Sequence, residues 1–321
     1  MAQAIIPSGL TVYNRCVRRM VNKEKNSVYR DYIRQDVQKL ETKGDSALLW
    51  LGNREKATKV VYFLHGGAFF LPLSSAHVRM CWDIFVKRYA DAGVNVACAM
   101  LQYTLSPRSK YPNHLKEAVA GFEEIRRQGF SARDIFIGGD SAGANLTTQL
   151  LLHIYDSHPE VPQVVLDTPL KAAFLISPYL TRYAESMESR NKNRNFDMVP
   201  SGKIEALMPI VVHDDEVEEY HCGKESLLTP LDTPRICLEG FERVVEKLNI
   251  TIGEYEAIAD HGRDFANLIR RQAPLVDTQL VVGEREPHDA AVFEYMTFRP
   301  NVAAGRLKAF MDTVILDGEG K

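Results

Sequence analysis

Ser141 stands in Gly139-Asp140-Ser141-Ala142-Gly143, with a short apolar run before it and a helical pattern after it. A serine on such a strand-to-helix turn is pushed out of the sheet edge, and the glycines two residues to either side let neighbouring backbone come close. The chemistry this permits is attack on a carbonyl carbon. It requires a base to take the hydroxyl proton and a carboxylate to orient that base. The chain has nine histidines. In the chain order that accompanies such a turn, the serine comes first, then the acid, then the histidine. Only His261 and His288 follow the apolar run Leu248–Ile252. His288 comes after the run Thr278–Val282 through a short loop, where a base belongs. The acid is expected in the loop after Leu248–Ile252, with Glu254, Glu256, Asp260 and Asp264 as candidates. Asp260 stands at the end of that loop, where an aspartate can also serve as a helix N-cap. Spacing alone does not choose among the four.

The negative charge that forms on a carbonyl oxygen under attack needs backbone N–H donors aimed at it, each worth about 3 kcal/mol of barrier. The run Val60–Leu64 leads into His65-Gly66-Gly67-Ala68-Phe69-Phe70. The turn Gly66, Gly67, Ala68, together with Ala142 after the serine, is the candidate oxyanion hole. Phe69, Phe70 and Tyr179, near predicted strand ends, are candidate walls of an apolar substrate pocket, with core packing as the plain alternative.

These residues need a scaffold that presents them along one edge. Helical spacing of Leu10, Tyr13, Val17, Met20 and Val21 predicts a helix over 9–22. Residues 30–41 and 46–52 read as a β-hairpin around Lys43-Gly44-Asp45. Val60–Leu64, 95–101, 134–138, Ala172–Ile176, Leu248–Ile252 and Thr278–Val282 read as strands. Helices are expected at 114–127, from the serine to Tyr155, at 262–272 and at 303–315. Strands alternating with helices imply an α/β fold with a mostly parallel central sheet, helices on both faces, and one domain over 1–321. Residues 181–245 exceed any simple crossover, and structureless loops of that length are uncommon. A helical lid built from 1–27 and 181–245 is therefore expected.

At 321 residues, with 45% hydrophobic and 25% charged residues and a formal net charge of −3, the chain carries no basic field for nucleic acid or anionic membrane. Five cysteines without a C-x-x-C pair suggest neither a disulfide framework nor a metal knuckle. No signal peptide and no membrane span are expected, so a cytoplasmic setting is the default. His213, Asp214, Asp215 and His221 lie in a charged run without diagnostic ligand spacing, and no metal or other cofactor is expected there. The final helix leaves room for a homodimer.

Together, His65-Gly66-Gly67-Ala68, Gly139–Gly143, Glu256–Ala266 and Glu286-Pro287-His288-Asp289 resemble the hormone-sensitive-lipase-like family of α/β hydrolases, the fold-3 esterases. Leu-Ile-Ser-Pro-Tyr at 175–179 and the Glu-Pro-His-Asp stretch look most like fungal members. The resemblance covers about residues 30–315. It implies Ser141 as nucleophile, His288 as base and Asp260 as acid, with Gly67 and Ala68 as oxyanion donors. It further implies hydrolysis of a small-molecule carboxylic ester through an acyl-enzyme, on a specialised (secondary) metabolite. Acyl transfer, lactone or amide cleavage would use the same residues, and a non-catalytic receptor on this fold is the alternative of another class. Two positions depart from the family: Ala68 replaces a glycine, and Arg108 stands where an acidic residue is usual, which leaves a supporting contact in question.

Overall fold

The computed structural model describes residues 7–24, 28–182, 187–199, 209–212, 227–233 and 236–316. Eight strands form one sheet: β1 (Asp36–Lys39), β2 (Ala47–Leu51), β3 (Lys59–Leu64), β4 (Val96–Gln102), β5 (Ile135–Asp140), β6 (Leu170–Ile176), β7 (Val245–Gly253) and β8 (Asp277–Gly283). The spatial order is β1-β2-β4-β3-β5-β6-β7-β8. The β1–β2 and β2–β4 pairs are antiparallel and all the others parallel. The hairpin expected at the start is present, but its first strand is only Asp36–Lys39, and Arg30–Tyr32 is a helical turn.

The central strands are buried on both sides, as continuous apolar runs require. In β3, Val60, Tyr62 and Leu64 face one core cluster, while Val61 and Phe63 face the other. The first cluster is covered by α4 (Asn113–Arg127), α5 (Ala142–Tyr155) and α7 (Ala259–Gln272). The second is covered by α1 (Gly9–Lys23), by α2 (Ser75–Cys81), which runs on through 82–87 into α3 (Arg88–Asp91), and by α8 (Ala290–Met296) and α9 (Val302–Ile315). Two helical pieces, 75–91 and α8, escaped the periodicity reading, while α6 (Glu188–Asn193) falls within the stretch expected as a helical lid. The two are short or interrupted, too brief for a 3.6-residue stripe to stand out.

In α9, Leu307, Phe310, Met311, Val314 and Ile315 are buried against the protein's own sheet, so this face is not open to a second copy. Of the stretch expected as a lid, α1 packs Tyr13, Cys16 and Val17 into the second cluster, and Tyr13 donates a hydrogen bond to the Trp50 carbonyl at 2.5 Å. Much of 181–245 lies outside the described residues. No helix among the described residues is long and apolar enough to cross a membrane.

Candidate active site

The parallel order puts the carboxyl ends of β3, β5, β6, β7 and β8 side by side, and the chemistry gathers there. Ser141 sits between β5 and α5 with φ 50° and ψ −115°, a backbone conformation that L-residues rarely adopt. Tight packing holds it. A Cβ on Gly139 would lie 2.1 Å from the Leu64 carbonyl oxygen, and one on Gly143 would lie 2.0 Å from it. Only glycine lets the elbow press so closely onto the end of β3. The Ser141 N–H donates to the Ile176 carbonyl at 2.8 Å, which fixes the other flank.

Ser141 Oγ lies 2.9 Å from His288 Nε2, and His288 Nδ1 lies 2.9 Å from Glu256 Oε1. Because Nδ1 faces a carboxylate, it carries the proton of the neutral ring, and Nε2 of that form accepts from the serine. Glu256 is fully buried. Its other oxygen, Oε2, accepts from Ser177 Oγ at 3.0 Å and from the Gly253 N–H at 2.9 Å. The carboxylate is thus held by donors on both oxygens, as a buried anion must be.

The acid expected from the family pattern was Asp260, and here the geometry corrects the expectation. Helix α7 begins at Ala259 rather than 262, so Asp260 already lies in its first turn. There it accepts from the Ser189 N–H at 2.9 Å and pairs with Arg263 at 3.2 Å. Glu256 precedes the helix, in the loop that opens at the end of β7. The signal was available. Ala259, Gly262, Phe265, Ala266 and Ile269 are buried at helical spacing, which carries the helix back past Asp260. His261, the other late histidine, is fully buried and pushed down to about 3 by that burial. It accepts from the Leu180 N–H at 2.9 Å and packs near the Tyr179 ring, a structural role.

The oxyanion turn is tied to the elbow by Asp140. Its Oδ1 accepts from the Gly66 N–H at 2.9 Å, and its Oδ2 from His77 Nε2 at 3.1 Å. Gly66 was expected among the oxyanion donors. Its N–H is committed to Asp140, so it braces the turn instead. The N–H groups of Gly67 and Ala68 donate to no acceptor among the described residues. Ala142, the first residue of α5, has no intrahelical partner for its N–H. Ala68 has φ 53°, so the alanine at this motif position accepts a left-handed backbone that glycine would take without strain. Next to it, His65 is stacked on Tyr103 with centroids 4.4 Å apart, and the Tyr103 hydroxyl donates to the His65 carbonyl at 2.9 Å.

Of the candidate pocket walls, Phe69 and Tyr179 are buried packing residues: Phe69 against Tyr103 and His114, Tyr179 against His261. Only Phe70 of the three keeps an exposed ring. Arg108 pairs with the exposed Asp45 at 3.0 Å. The support in question at that segment comes instead from Glu117, whose carboxylate accepts from the Thr104 N–H and Oγ, both at 2.7 Å. The charged run with His213, Asp214, Asp215 and His221 lies outside the described residues. Among the described residues no group of three or more His, Cys, Asp or Glu side chains could hold a metal ion.

A family model described as an α/β hydrolase fold matches residues 60–292, a span running from β3 past His288. The chain belongs to that family. Among relatives of this α/β hydrolase, an esterase of Acinetobacter venetianus is 30% identical over 157 residues, covering 49% of this chain and 46% of its own. An acetyl-hydrolase of Streptomyces hygroscopicus is 27% identical over 138 residues, covering 43% and 42%. The match thus spans about half the length of these curated relatives. An esterase/lipase from an uncultured bacterium superimposes with a TM-score of 0.68 at 20% identity, over 98% of this chain and 94% of that one. An esterase from the bacterial hormone-sensitive lipase family gives 0.67 at 20% identity, over 98% and 100%. At such identities the two structures speak for the fold.

Sequence reasoning also passed over a feature of the chain in the stretch after β6. Ser189, Asn193 and Asp197, four residues apart, all reach the loops that carry Glu256 and His288. Ser189 Oγ donates to the Ala257 carbonyl at 2.9 Å, and Asn193 Nδ2 to the carbonyls of Glu254 and Glu256 at 2.8 and 3.0 Å. Asp197 accepts from the His288 N–H at 3.0 Å on one oxygen and from the Ala257 N–H at 2.7 Å on the other. One side chain therefore holds both loops in register. Asp197→Ala is expected to lower kcat about 10²-fold through misplacement of His288, with KM little changed. Steady-state kinetics on an activated ester checks this, and an unchanged kcat would show that the loops keep their register without it.

Proposed function

We propose that this chain is a serine hydrolase that cleaves carboxylic esters through an acyl-enzyme. The observation that carries the reading is the unbroken line Ser141–His288–Glu256, two contacts of 2.9 Å at the carboxyl edge of the sheet. Ser141 attacks the carbonyl carbon while His288 Nε2 takes its proton. Glu256 holds the Nδ1–H and stabilises the imidazolium. The N–H groups of Gly67, Ala68 and Ala142 receive the oxyanion. His288 then gives its proton to the leaving alcohol, and water activated by the same nitrogen releases the acid. Nothing in this sequence calls for a cofactor.

A short acyl group fits best. The methyl of Ala68 adds bulk beside the donors, and relatives of this chain include proteins named acetyl-hydrolase and acetyl esterase. We assign the natural ester to specialised metabolism on the likeness of residues 175–179 and 286–289 to fungal members of the family. The relatives compared above are bacterial, so this part rests on those short stretches alone. A cytoplasmic site of action accords with the free thiols of Cys16, Cys81, Cys98 and Cys237.

The test is turnover of p-nitrophenyl esters from acetate to decanoate, beside labelling of Ser141 by a fluorophosphonate. Turnover that falls off beyond butyrate, with stoichiometric labelling, supports the short-acyl reading. Labelling without turnover of any of these esters would move the proposal to one specialised substrate. Absence of both would overturn it.

A further inference from the structure

The mechanism above leaves one half-buried carboxyl group at the reactive centre unused. Asp289 follows His288 directly, and its Oδ2 lies 3.2 Å from His288 Nε2, the same nitrogen that faces Ser141. Its other oxygen, Oδ1, is buried without a hydrogen-bond partner among the described residues. The placement is not incidental to the loop. Asp289 is held at φ 54° and ψ 39°, and its N–H donates at 3.0 Å to Ser177 Oγ, the hydroxyl that also donates to Glu256. Ser177 is itself held at a positive φ of 47°. Two residues in a sparsely populated region thus bracket the base.

Asp289 Oδ2 touches the ring without the alignment of a hydrogen bond, since the in-plane direction of Nε2 is taken by Ser141 Oγ, so the carboxylate acts on the imidazole by its charge. We propose that Asp289 is a second carboxylate partner of His288, an anion against the ring that stabilises its protonated form and so sets the pH at which Ser141 can be deprotonated. The inference rests on the hydrolase reading for its consequence, but not for the proton itself. At rest, Glu256 faces Nδ1–H while the charge of Asp289 favours a second proton, on Nε2. That proton leaves to solvent, Nε2 becomes free, and only then can it take the proton of Ser141 as the serine oxygen bonds to the carbonyl carbon.

The charges around the pair act in the same direction. Burial alone would depress the imidazolium, but Asp289 and then Glu256 outweigh it and hold His288 well above the usual histidine value. Burial, opposed by His288 and reinforced by Asp140 and Glu256, pushes Asp289 up to about 6. The other titratable groups facing the pair are His77 from α2, His261 from α7 and Asp197 beside the His288 backbone.

The sign of the effect follows. Removing the anion beside Nε2 destabilises the imidazolium, so His288 gives up its proton at a lower pH and the base is available there. Asp289→Asn keeps the shape and suits a left-handed backbone, and Asp289→Gly removes the side chain without strain. The measurement is an NMR titration of histidine ring protons in wild type and both variants, with His288 assigned by the resonance missing from His288→Gln. The midpoint is expected to fall by about one pH unit or more in both variants, the usual effect of losing a charge in contact. The pH profile of fluorophosphonate labelling should move with it, so that labelling at pH near 6 becomes faster. A His288 midpoint unchanged in both variants would overturn the inference whether or not Ser141 labels. A shifted midpoint in a protein that does not label would sustain the inference and sink the hydrolase reading.

Discussion

Glu256→Gln is expected to lower kcat on an activated ester about 10⁴-fold, the scale seen when a triad acid loses its charge with geometry intact, whereas Asp260→Asn is expected to stay close to wild type. The contrast follows from what each carboxylate touches. Glu256 is buried and faces His288 Nδ1 at 2.9 Å. As imidazolium forms in the transition state, no other anion among the described residues bonds Nδ1–H. A glutamine amide there can also turn its NH₂ toward Nδ1 and favour the tautomer with its proton on Nε2, which cannot accept from Ser141. Ser177 and Gly253 would still donate to the remaining carbonyl, so the loop should keep its fold and the loss should appear in kcat rather than in stability. Among the described residues the Asp260 carboxylate bonds only the Ser189 N–H and the partly exposed Arg263, and a surface pair of that kind contributes ~1 kcal/mol or less. Steady-state kinetics with a thermal melt on each variant decides. A collapse of Asp260→Asn with Glu256→Gln active would return the acid to Asp260.

The difference between these two residues marks where the chain could be read directly. The strands of the central sheet and the serine elbow were legible because each rests on local composition: continuous apolar runs in β3 to β6, apolar residues alternating with polar ones in β7, and two glycines that nothing larger could replace. His288 was legible because chain order leaves few late histidines. The acid was not, because four carboxylates occupy one loop and the choice depends on where α7 begins, a boundary that a three-residue error moves past Asp260. Gly66 was misassigned for a related reason. A glycine after a buried strand frees a donor, but only the approach of Asp140 reveals that this donor is already engaged. Phe69 and Tyr179 were equally ambiguous, since an aromatic at a strand end packs inward or lines a cavity according to elements far away in sequence. The clasp of Ser189, Asn193 and Asp197 left no sequence signal beyond polar residues at four-residue spacing, which a solvated helix face would share.

Ser141→Ala is expected to lower kcat about 10⁶-fold, and the double variant Ser141→Ala/Glu256→Gln to be no slower than Ser141→Ala alone. The second half of the expectation is the more telling. If Glu256 acts only by orienting and charging His288, and His288 only by taking the proton of Ser141, then removing the nucleophile leaves the other two nothing to do. Their losses cannot add. What remains is water attack on an ester whose oxyanion still meets the N–H groups of Gly67, Ala68 and Ala142, which is worth about 10³-fold over the uncatalysed rate. That residue of activity should fall away when the turn is disturbed. Gly66→Ala would set a Cβ 2.3 Å from Asp140 Oδ2 and break the tie between the oxyanion turn and the elbow. Initial rates at saturating ester, corrected for contaminating activity by prior fluorophosphonate treatment, give the comparison. A double variant slower than Ser141→Ala would mean that Glu256 and His288 activate the attacking water even without the serine, and the residual rate would then be general-base catalysis rather than the work of the oxyanion donors alone.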